Sequence, residues 1–336
     1  MMSLRRLLRV PALRVSAAFA AAGVSMGLLA SPALAQTEVK IAYALPVASH
    51  YGAAANAWGA AVEKGTGGRY VFKHFPASAL GGERETIEGL QLGTVDMMIA
   101  STGTLSNFVP DVGVVDIPFL FRDLAHARKT LDGPVGQELL AKFKGRGLVA
   151  LAWGEQGFRQ MTNNKHAVNA PDDMKGLKIR TMENPVHITA FKTLGAAPTP
   201  MSWPEVTGAL QQGTIDGQEN PMSVIVSAKL NQVQKYLTLS DHVYSPMVLL
   251  VSPKLWAKLS DADKAVFTAG AKDGAQASRA FVDENEAKGI EAMKAAGMQV
   301  NRIADKAPFQ AALAPAFQQY QTKFGKALLD RIAAVQ

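Results

Sequence analysis

An internal repeat, with its two copies 120 residues apart, constrains the fold of this chain more than any other feature. Residues 85–96 read E-T-I-E-G-L-Q-L-G-T-V-D, and residues 205–216 read E-V-T-G-A-L-Q-Q-G-T-I-D. Each copy is typical of a helix followed by a glycine in the C′ position, Gly93 or Gly213, and then by the β-branched start of a strand. The two copies predict that one structural unit occurs twice.

The segments before the two copies follow the same order, which extends the repeat upstream. The predicted strand, helix and second strand lie at 39–43, 53–64 and 70–75 in the first half and at 177–181, 187–194 and 196–199 in the second. The first copy continues into an apolar run at 95–99, typical of a buried parallel strand. Each half is predicted to be β-α-β-α-β, which favours two parallel-sheet lobes. Chance similarity of helix ends is the alternative, and the matched order counts against it.

Further segments are predicted to cross between the halves. Strand patterns occupy 147–153 and 247–251, and a second extended stretch lies near 159–162. From residue 261 to about 296 the sequence is rich in alanine and free of proline, which predicts one long helix that runs along both lobes. Two helices broken near Gly274 or Gly289 are the alternative.

The first 35 residues have the features of a secretory signal peptide. Four arginines precede an apolar run at 15–30, and Ala33-Leu34-Ala35 is an A-x-A cleavage site. A membrane anchor is the alternative, but the run is short for a span of about 20 residues. We expect residues 1–35 to be removed and the product to be periplasmic.

Composition excludes several classes of function. The net charge of +7 includes the four N-terminal arginines, and their removal leaves +3, so no nucleic-acid partner is expected. The absence of cysteine excludes disulfides, thiolate zinc sites and a cysteine nucleophile. The histidines show no metal-binding spacing, and phosphate-binding and dinucleotide-binding loops are missing. The sequence therefore predicts no metal, no cofactor and no catalytic residue.

Candidate ligand-binding residues follow from the rule that open parallel sheets bind ligands beyond the carboxyl ends of their strands. Arg180 lies at the end of the first strand of the second half, and Arg159 lies just beyond a predicted crossing. Asn220 follows the second repeated helix and its strand, and Trp203 opens that helix. A guanidinium holds a carboxylate with two parallel hydrogen bonds, and an amide donates to the same oxygens. The alternatives are structural ion pairs for the arginines and a core position for Trp203.

Four motifs follow one another in the middle of the chain. They are G-F-R at 157–159, M-K-G-L-K-I-R at 174–180, A-P-T-P-M at 197–201 and D-G-Q-E-N-P at 216–221. With these motifs, essentially the whole mature chain resembles the solute receptors of tripartite ATP-independent periplasmic (TRAP) transporters, the DctP type. The resemblance implies an α/β, two-lobed, type II-like periplasmic binding protein, with hinge strands between the lobes and a long helix that braces both.

The resemblance also implies roles for individual residues. Arg180 is expected to form the principal salt bridge to a ligand carboxylate, with Arg159 as a second cationic contact. Asn220 is expected to bond the same end of the ligand, and Trp203 to pack against it. Glu183 stands where sialate receptors carry asparagine, which counts against sialic acid and favours hydroxyl or amine donors on the ligand. Neutralisation of an arginine in the empty cleft is the alternative for Glu183.

The resemblance finally implies a domain division and a function. Lobe I is expected to comprise 36–157 and 246–285, and lobe II 158–245 and 286–336. We expect a monomeric receptor, not an enzyme, that delivers a small organic acid to membrane permease subunits driven by an ion gradient. A receptor for a sensor system is one alternative, and an enzyme built on the same fold is another.

Overall fold

The computed structural model describes residues 36–336, so the predicted signal peptide lies outside the described residues. The strands are β1 (Thr37–Ala42), β2 (Tyr70–Phe75), β3 (Met97–Ser101), β4 (Val149–Asn163), β5 (Lys178–Thr181), β6 (Ala197–Pro200), β7 (Gly217–Pro221), β8 (Tyr236–Leu239), β9 (Tyr244–Val251) and β10 (Gln299–Arg302). The α-helices are α1 (His50–Gly65), α2 (Glu83–Leu92), α3 (Thr102–Leu105), α4 (Leu124–Asp132), α5 (Pro134–Lys142), α6 (Pro185–Thr193), α7 (Trp203–Gln211), α8 (Met222–Ser227), α9 (Pro253–Trp256), α10 (Asp261–Ala295), α11 (Ala307–Ala312), α12 (Ala314–Phe324) and α13 (Lys326–Ala333). Short 3₁₀ helices lie at Pro110–Asp116, Phe143–Arg146, Pro171–Met174 and Leu230–Gln232.

The sequence repeat folds into two parallel three-stranded units of the same topology. In the first unit β1 lies between β2 and β3, and in the second unit β5 lies between β6 and β7. The last residue of each repeat makes the same bond: Asp96 Oδ2 accepts from Lys40 N at 3.0 Å, and Asp216 Oδ2 accepts from Lys178 N at 2.9 Å. The repeat is therefore structural, and chance similarity is the wrong explanation.

The two glycines of the repeat follow their helices in the left-handed conformation, as predicted. Gly93 has a φ of 72° and Gly213 a φ of 69°, a region that residues with a Cβ rarely adopt. A Cβ at Gly93 would also lie 2.5 Å from Lys254 Cδ. Both positions therefore require glycine.

Strands β4 and β9 join the two units. β9 pairs antiparallel with β3 on one side and with β4 on the other, and the far end of β4 pairs with β7 and β8. The sequence predicts two separate extended stretches here, whereas the structure has one strand of 15 residues. The interruption in the pattern is a bulge between Glu155 and Gly157, and Gly157 has a φ of 103°. These two strands are the predicted hinge strands.

Helix α10 is a single helix of 35 residues, so the alternative of two broken helices is wrong. Ser260 Oγ accepts from Asp263 N at 3.1 Å and begins the helix. Its glycines allow close packing without breaking it. A Cβ at Gly274 would lie 2.8 Å from Ala54 O of α1, and a Cβ at Gly289 would lie 3.0 Å from a methyl group of Val226.

Asn220 lies within β7, whereas the sequence places it after the strand. Pairing with β4 begins at Gly217 opposite Asn163, because the side chain of Asp216 is committed to Lys178 N and its carbonyl accepts from Asn164 N. The strand therefore starts later than predicted and carries its polar residues directly to the carboxyl edge of the sheet.

The core covers both faces of the first unit's sheet. Met97 and Ile99 of β3 pack with α1 and α10 on one face, and Met98 and Ala100 pack with residues of α4 and α5 on the other. The second unit has two smaller clusters, one with residues of α7, α8 and β8 and the other with residues of β4, β5 and α6. None of the helices within residues 36–336 combines the length and the apolar composition needed to cross a bilayer.

The C-terminal helices contact both units: Phe309 of α11 packs with Ile179 and Phe191 of the second unit, whereas α13 packs against the first unit. The Arg122 guanidinium, just before α4, donates to Ala333 O at 3.0 Å, and Arg331 of α13 pairs with Glu138 of α5 at 2.7 Å. The sequence assigns 286–336 to the second lobe, and that division stays a prediction.

Candidate ligand-binding cleft

A cleft with about 540 Å³ of empty space lies between the two units, beyond the carboxyl ends of their strands. The first unit contributes residues that follow β1 and β3 and the start of α2. The second unit contributes residues that follow β5 and β6 and the end of β7. Four of the five predicted site residues line this cleft: Arg180, Glu183, Trp203 and Asn220.

Arg180 is a buried cation that makes no ion pair with another residue of 36–336, although the charges of Glu219, Glu83 and Glu183 favour its charged form. Its side chain is 3% exposed, and no carboxylate within residues 36–336 lies within the 4.0 Å of an ion pair. Nε and Nη2 both donate to Met201 O, at 3.1 and 2.8 Å. These bonds use the side edge of the guanidinium, so the end edge formed by Nη1 and Nη2 stays available. Burial lowers the pKa of Arg180 to about 10.

Trp203 and Asn220 flank this guanidinium. Trp203 is half-buried at the start of α7, and its ring centroid lies 5.6 Å from the guanidinium carbon of Arg180. Asn220 is 5% exposed, and its Oδ1 accepts from Arg159 Nη2 at 3.2 Å. Its Nδ2 donates one hydrogen to Gln218 Oε1. The second hydrogen of that amide remains for a ligand.

Arg159 lies behind Asn220 and does not line the cleft. It is fully buried, with Nη2 2.8 Å from Glu219 Oε1 and Nη1 3.1 Å from Ser245 Oγ. Burial opposes ionisation of Glu219, but the charge and hydrogen bond of Arg159, together with His187 and His242, hold the pKa of that carboxyl below its usual range. Arg159 therefore forms the ion pair that the sequence offers as the alternative, and its contact with a ligand stays a prediction.

Glu183 forms an ion pair across the cleft. Its Oε2 lies 3.0 Å from Nε of Arg84, which belongs to α2 of the first unit. The two side chains are 39% and 40% exposed. The Asn107 amide, also from the first unit, donates to Glu183 O. Glu183 therefore neutralises an arginine, but one from the opposite wall and neither of the two that the sequence considers.

Glu83 is a cleft residue that sequence reasoning misses, because an acid in the first turn of a helix is explained by the helix dipole. Its Oε1 accepts from Ser101 N at 2.9 Å, and its Oε2 accepts from Thr104 Oγ1 at 2.7 Å. Burial raises the pKa of Glu83 above its ordinary value, against the effect of these donors. The signal available in the sequence is its place after the Gly81-Gly82 loop, which begins a helix at the carboxyl edge of the sheet.

The side chains at the cleft supply several kinds of contact for a ligand. Two nearby histidines, His50 and His187, are fully buried, and burial lowers the pKa of each to about 3, so both are neutral. Within residues 36–336, no group of three or more acidic or histidine side chains is placed to hold a metal ion. The arrangement provides a cationic fork, an acceptor carboxylate, an amide and an aromatic wall.

Comparison with known proteins agrees with this geometry. The model of the DctP family, bacterial extracellular solute-binding protein family 7, matches residues 41–323. The 2,3-diketo-L-gulonate-binding periplasmic protein YiaO of Escherichia coli (strain K12) is 41% identical over 252 residues, which are 75% of this chain and 77% of that protein.

Two crystal structures of TRAP periplasmic solute-binding proteins are similar over nearly their whole length. The protein from Bordetella bronchispeptica, with density interpreted as pantoate, is 58% identical with a TM-score of 0.88, and the match covers 90% of this chain and 100% of that one. The protein from Polaromonas sp. JS666, bound to D-erythronate, is 53% identical with a TM-score of 0.89 and coverages of 90% and 99%.

These similarities confirm the predicted two-lobed fold, the periplasmic location and the role of an organic-acid receptor that works with TRAP permease subunits. The family is one of transport solute-binding proteins. With the family model matching almost all of the described residues, the chain belongs to the DctP family of bacterial extracellular solute-binding proteins.

Proposed function

We propose that this receptor binds a hydroxylated monocarboxylate in the cleft and that Arg180 holds the carboxylate. The observation that carries the proposal is a buried guanidinium whose end edge has no partner within residues 36–336. That edge matches the two oxygens of a carboxylate. The ligand would supply the counter-ion that Arg180 lacks, so burial of the cation favours binding of an anion.

The other predicted residues have separate roles in this proposal. Asn220 donates its second amide hydrogen to the ligand carboxylate, and Trp203 covers the carbon skeleton. Arg159 acts as a positioning residue, because its bond to Asn220 Oδ1 fixes which way that amide points. Glu183 and Arg84 lie at the edge of the cleft, where their ion pair joins the two walls.

The three relatives compared above support the ligand class. By their names, they bind 2,3-diketo-L-gulonate and D-erythronate, and the density in a third is interpreted as pantoate. Each of these molecules has a single carboxylate and hydroxyl groups on a short carbon chain. The same class suits a cleft that offers one unpaired guanidinium.

The proposed motion is closure of two lobes about β4 and β9. Two of the three predicted lobe boundaries, at 157/158 and 245/246, fall inside these strands, and Gly157 marks a bulge there. The third, at 285/286, falls inside α10. A ligand that contacts both walls stabilises the closed arrangement by its differential affinity. Small-angle scattering should give a smaller radius of gyration with ligand than without it. An unchanged profile at saturation would contradict hinge closure.

The ligand class is tested by calorimetry with D-erythronate, other sugar acids, succinate and malate. We expect at least one hydroxylated monocarboxylate to bind more tightly than both dicarboxylates. A dicarboxylate that binds more tightly than every monocarboxylate would overturn the proposal. We also propose that the protein releases its ligand unchanged, and mass spectrometry of the ligand after prolonged incubation should then find a single species.

A further inference from the structure

We propose that Glu83 accepts a hydrogen bond from a ligand hydroxyl and excludes a second carboxylate from the cleft. The inference rests on the proposed function, in which Arg180 takes the carboxylate of the ligand. Glu83 belongs to the first unit and lies on the wall of the cleft opposite Arg180, so this wall would select between monocarboxylates and dicarboxylates.

The hydrogen bonds of Glu83 leave an acceptor position open. An ionised carboxylate can accept about four hydrogen bonds, two on each oxygen. Glu83 Oε1 accepts from Ser101 N at 2.9 Å. The Tyr51 hydroxyl lies 3.4 Å from the same oxygen, but its nearer acceptor is Oε1 of Gln156, at 3.2 Å. Oε2 accepts from Thr104 Oγ1 alone, at 2.7 Å. At least one acceptor position on Oε2 is therefore free, and the side chain retains accessible surface where it lines the cleft.

The charges around the cleft are paired except at two places. Three arginines and three glutamates line the cleft or lie directly behind it: Arg84, Arg159, Arg180, Glu83, Glu183 and Glu219. Two ion pairs join Arg84 to Glu183 and Arg159 to Glu219. Arg180 and Glu83 attract each other across the cleft, but neither makes an ion pair of 4.0 Å or less within residues 36–336. A monoanion completes the pairing of Arg180, whereas a second carboxylate would face Glu83 and be repelled.

Glu83 is better placed for this selection than Glu183. The carboxylate of Glu183 is occupied by Arg84 and is 39% exposed, so solvent screens its charge. Glu83 is held by a backbone N–H and a hydroxyl of the first unit, which fix its oxygens in place. A hydroxylated acid held by Arg180 and Glu83 would connect the two units. Such a ligand is a monocarboxylate with a hydroxyl a few atoms away, and the class includes short aldonic acids.

The test compares D-erythronate with succinate in calorimetry on the full mature protein and five variants. Glu83→Gln removes the charge, and we expect it to weaken D-erythronate binding by about 10- to 100-fold and to narrow the preference over succinate by at least about tenfold. Glu83→Asp withdraws the acceptor but keeps the charge, so it should weaken D-erythronate while still excluding succinate. Glu85→Gln is the matched control, because it removes an exposed charge from the same helical turn, and it should change neither affinity.

Two results would overturn the inference. One is an unchanged preference in Glu83→Gln, and the other is loss of the preference in Glu183→Gln, which would assign the selection to Glu183. Arg180→Met separates this inference from the proposed function. If Arg180→Met abolishes binding of both acids while Glu83→Gln alters neither, the proposed function stands and the role of Glu83 is wrong. If Arg180→Met alters neither affinity, the proposed function itself fails.

Discussion

Replacing Arg180 by methionine should abolish binding and yet leave the free protein about as stable as before. Methionine is unbranched and apolar, so Arg180→Met removes the charge while it keeps much of the side-chain volume. The two consequences differ because the guanidinium is buried and has no ion-pair partner among residues 36–336. Its positive charge attracts the ligand carboxylate, but its burial lowers the stability of the folded protein without ligand.

The stability change follows from two opposing contributions. Burial lowers the pKa of Arg180 from its ordinary 12.5 to about 10, which corresponds to about 3 kcal/mol against the charged form in the folded state. Because the arginine is protonated in both states at pH 7, this amount lowers the free energy of unfolding of the wild type. The variant loses the two hydrogen bonds to Met201 O, a charged interaction of about 1.5–3 kcal/mol. We therefore expect the free energy of unfolding to change by no more than about 1 kcal/mol.

The binding change is much larger. Removing one partner of a buried charge pair costs about 3–5 kcal/mol, which corresponds to about 150- to 5,000-fold in affinity. Titration calorimetry measures the affinity, and urea denaturation measures stability with and without ligand. Ligand at about 1,000 times the dissociation constant should raise the wild-type free energy of unfolding by about 4 kcal/mol. The variant should show no such rise.

A matched control variant and two possible results test the role assigned to Arg180. Arg331→Met removes an arginine from an exposed ion pair with Glu138, outside the cleft, and should leave the affinity unchanged. An Arg180→Met protein that binds within tenfold of the wild type would refute the assignment of Arg180. A loss of more than about 3 kcal/mol of stability without ligand would show instead that the arginine is structural.

Three further predictions concern the edge of the cleft, a buried acid and the packing of α10. Glu183→Gln should lower the ligand affinity measured by calorimetry by less than about fivefold, because half-exposed ion pairs contribute at most about 1 kcal/mol. A loss of affinity above about 100-fold would mean that Glu183 contacts the ligand. Burial raises the pKa of Asp116 to about 7, so the folded state holds a proton that the unfolded state loses between about pH 4 and 7. The free energy of unfolding should then fall as pH rises through that range, by up to about 1.4 kcal/mol per pH unit, and urea denaturation should show a weaker fall in Asp116→Asn; an equal fall would contradict this. Gly274→Ala should lower the free energy of unfolding, measured in urea, by about 1–3 kcal/mol, because the new Cβ lies 2.8 Å from Ala54 O. Gly208→Ala has open space around the new Cβ and should raise the free energy of unfolding by about 1 kcal/mol. Changes of the same sign in the two variants would refute the packing argument.

The repeat and its topology could be predicted from the sequence because they depend on local patterns. Gly93 and Gly213 mark helix ends through their own backbone conformations, and the β-branched residues after them mark strands. The bond of Asp216 to Lys178 N could not be predicted in this way, because it depends on how neighbouring strands align. That alignment delayed the start of β7 and moved Asn220 into the strand.

A site residue could be predicted from the sequence where its position in the sheet alone places it in the cleft. Arg180 lies in the cleft because it ends a parallel strand. Arg159 and Glu183 have partners that lie 60 and 99 residues away in the chain, and sequence patterns do not identify such pairs. Glu83 was missed for a different reason, since a helix-start acid has a sufficient local explanation and its exposure to the cleft depends on the second unit.

The position of β9 between β3 and β4 has a consequence for how the chain folds. The sheet of the first unit gains this strand from residues 244–251, and α1 packs against α10, which begins at residue 261. All the strands of the second unit are synthesised before these partners exist. Contacts of such sequence separation make folding slow, and an N-terminal fragment that ends before β9 lacks part of its own core, including Met247 and Phe267. The first unit therefore completes its sheet only after β5, β6 and β7 of the second unit have been made, although β1, β2 and β3 are made first.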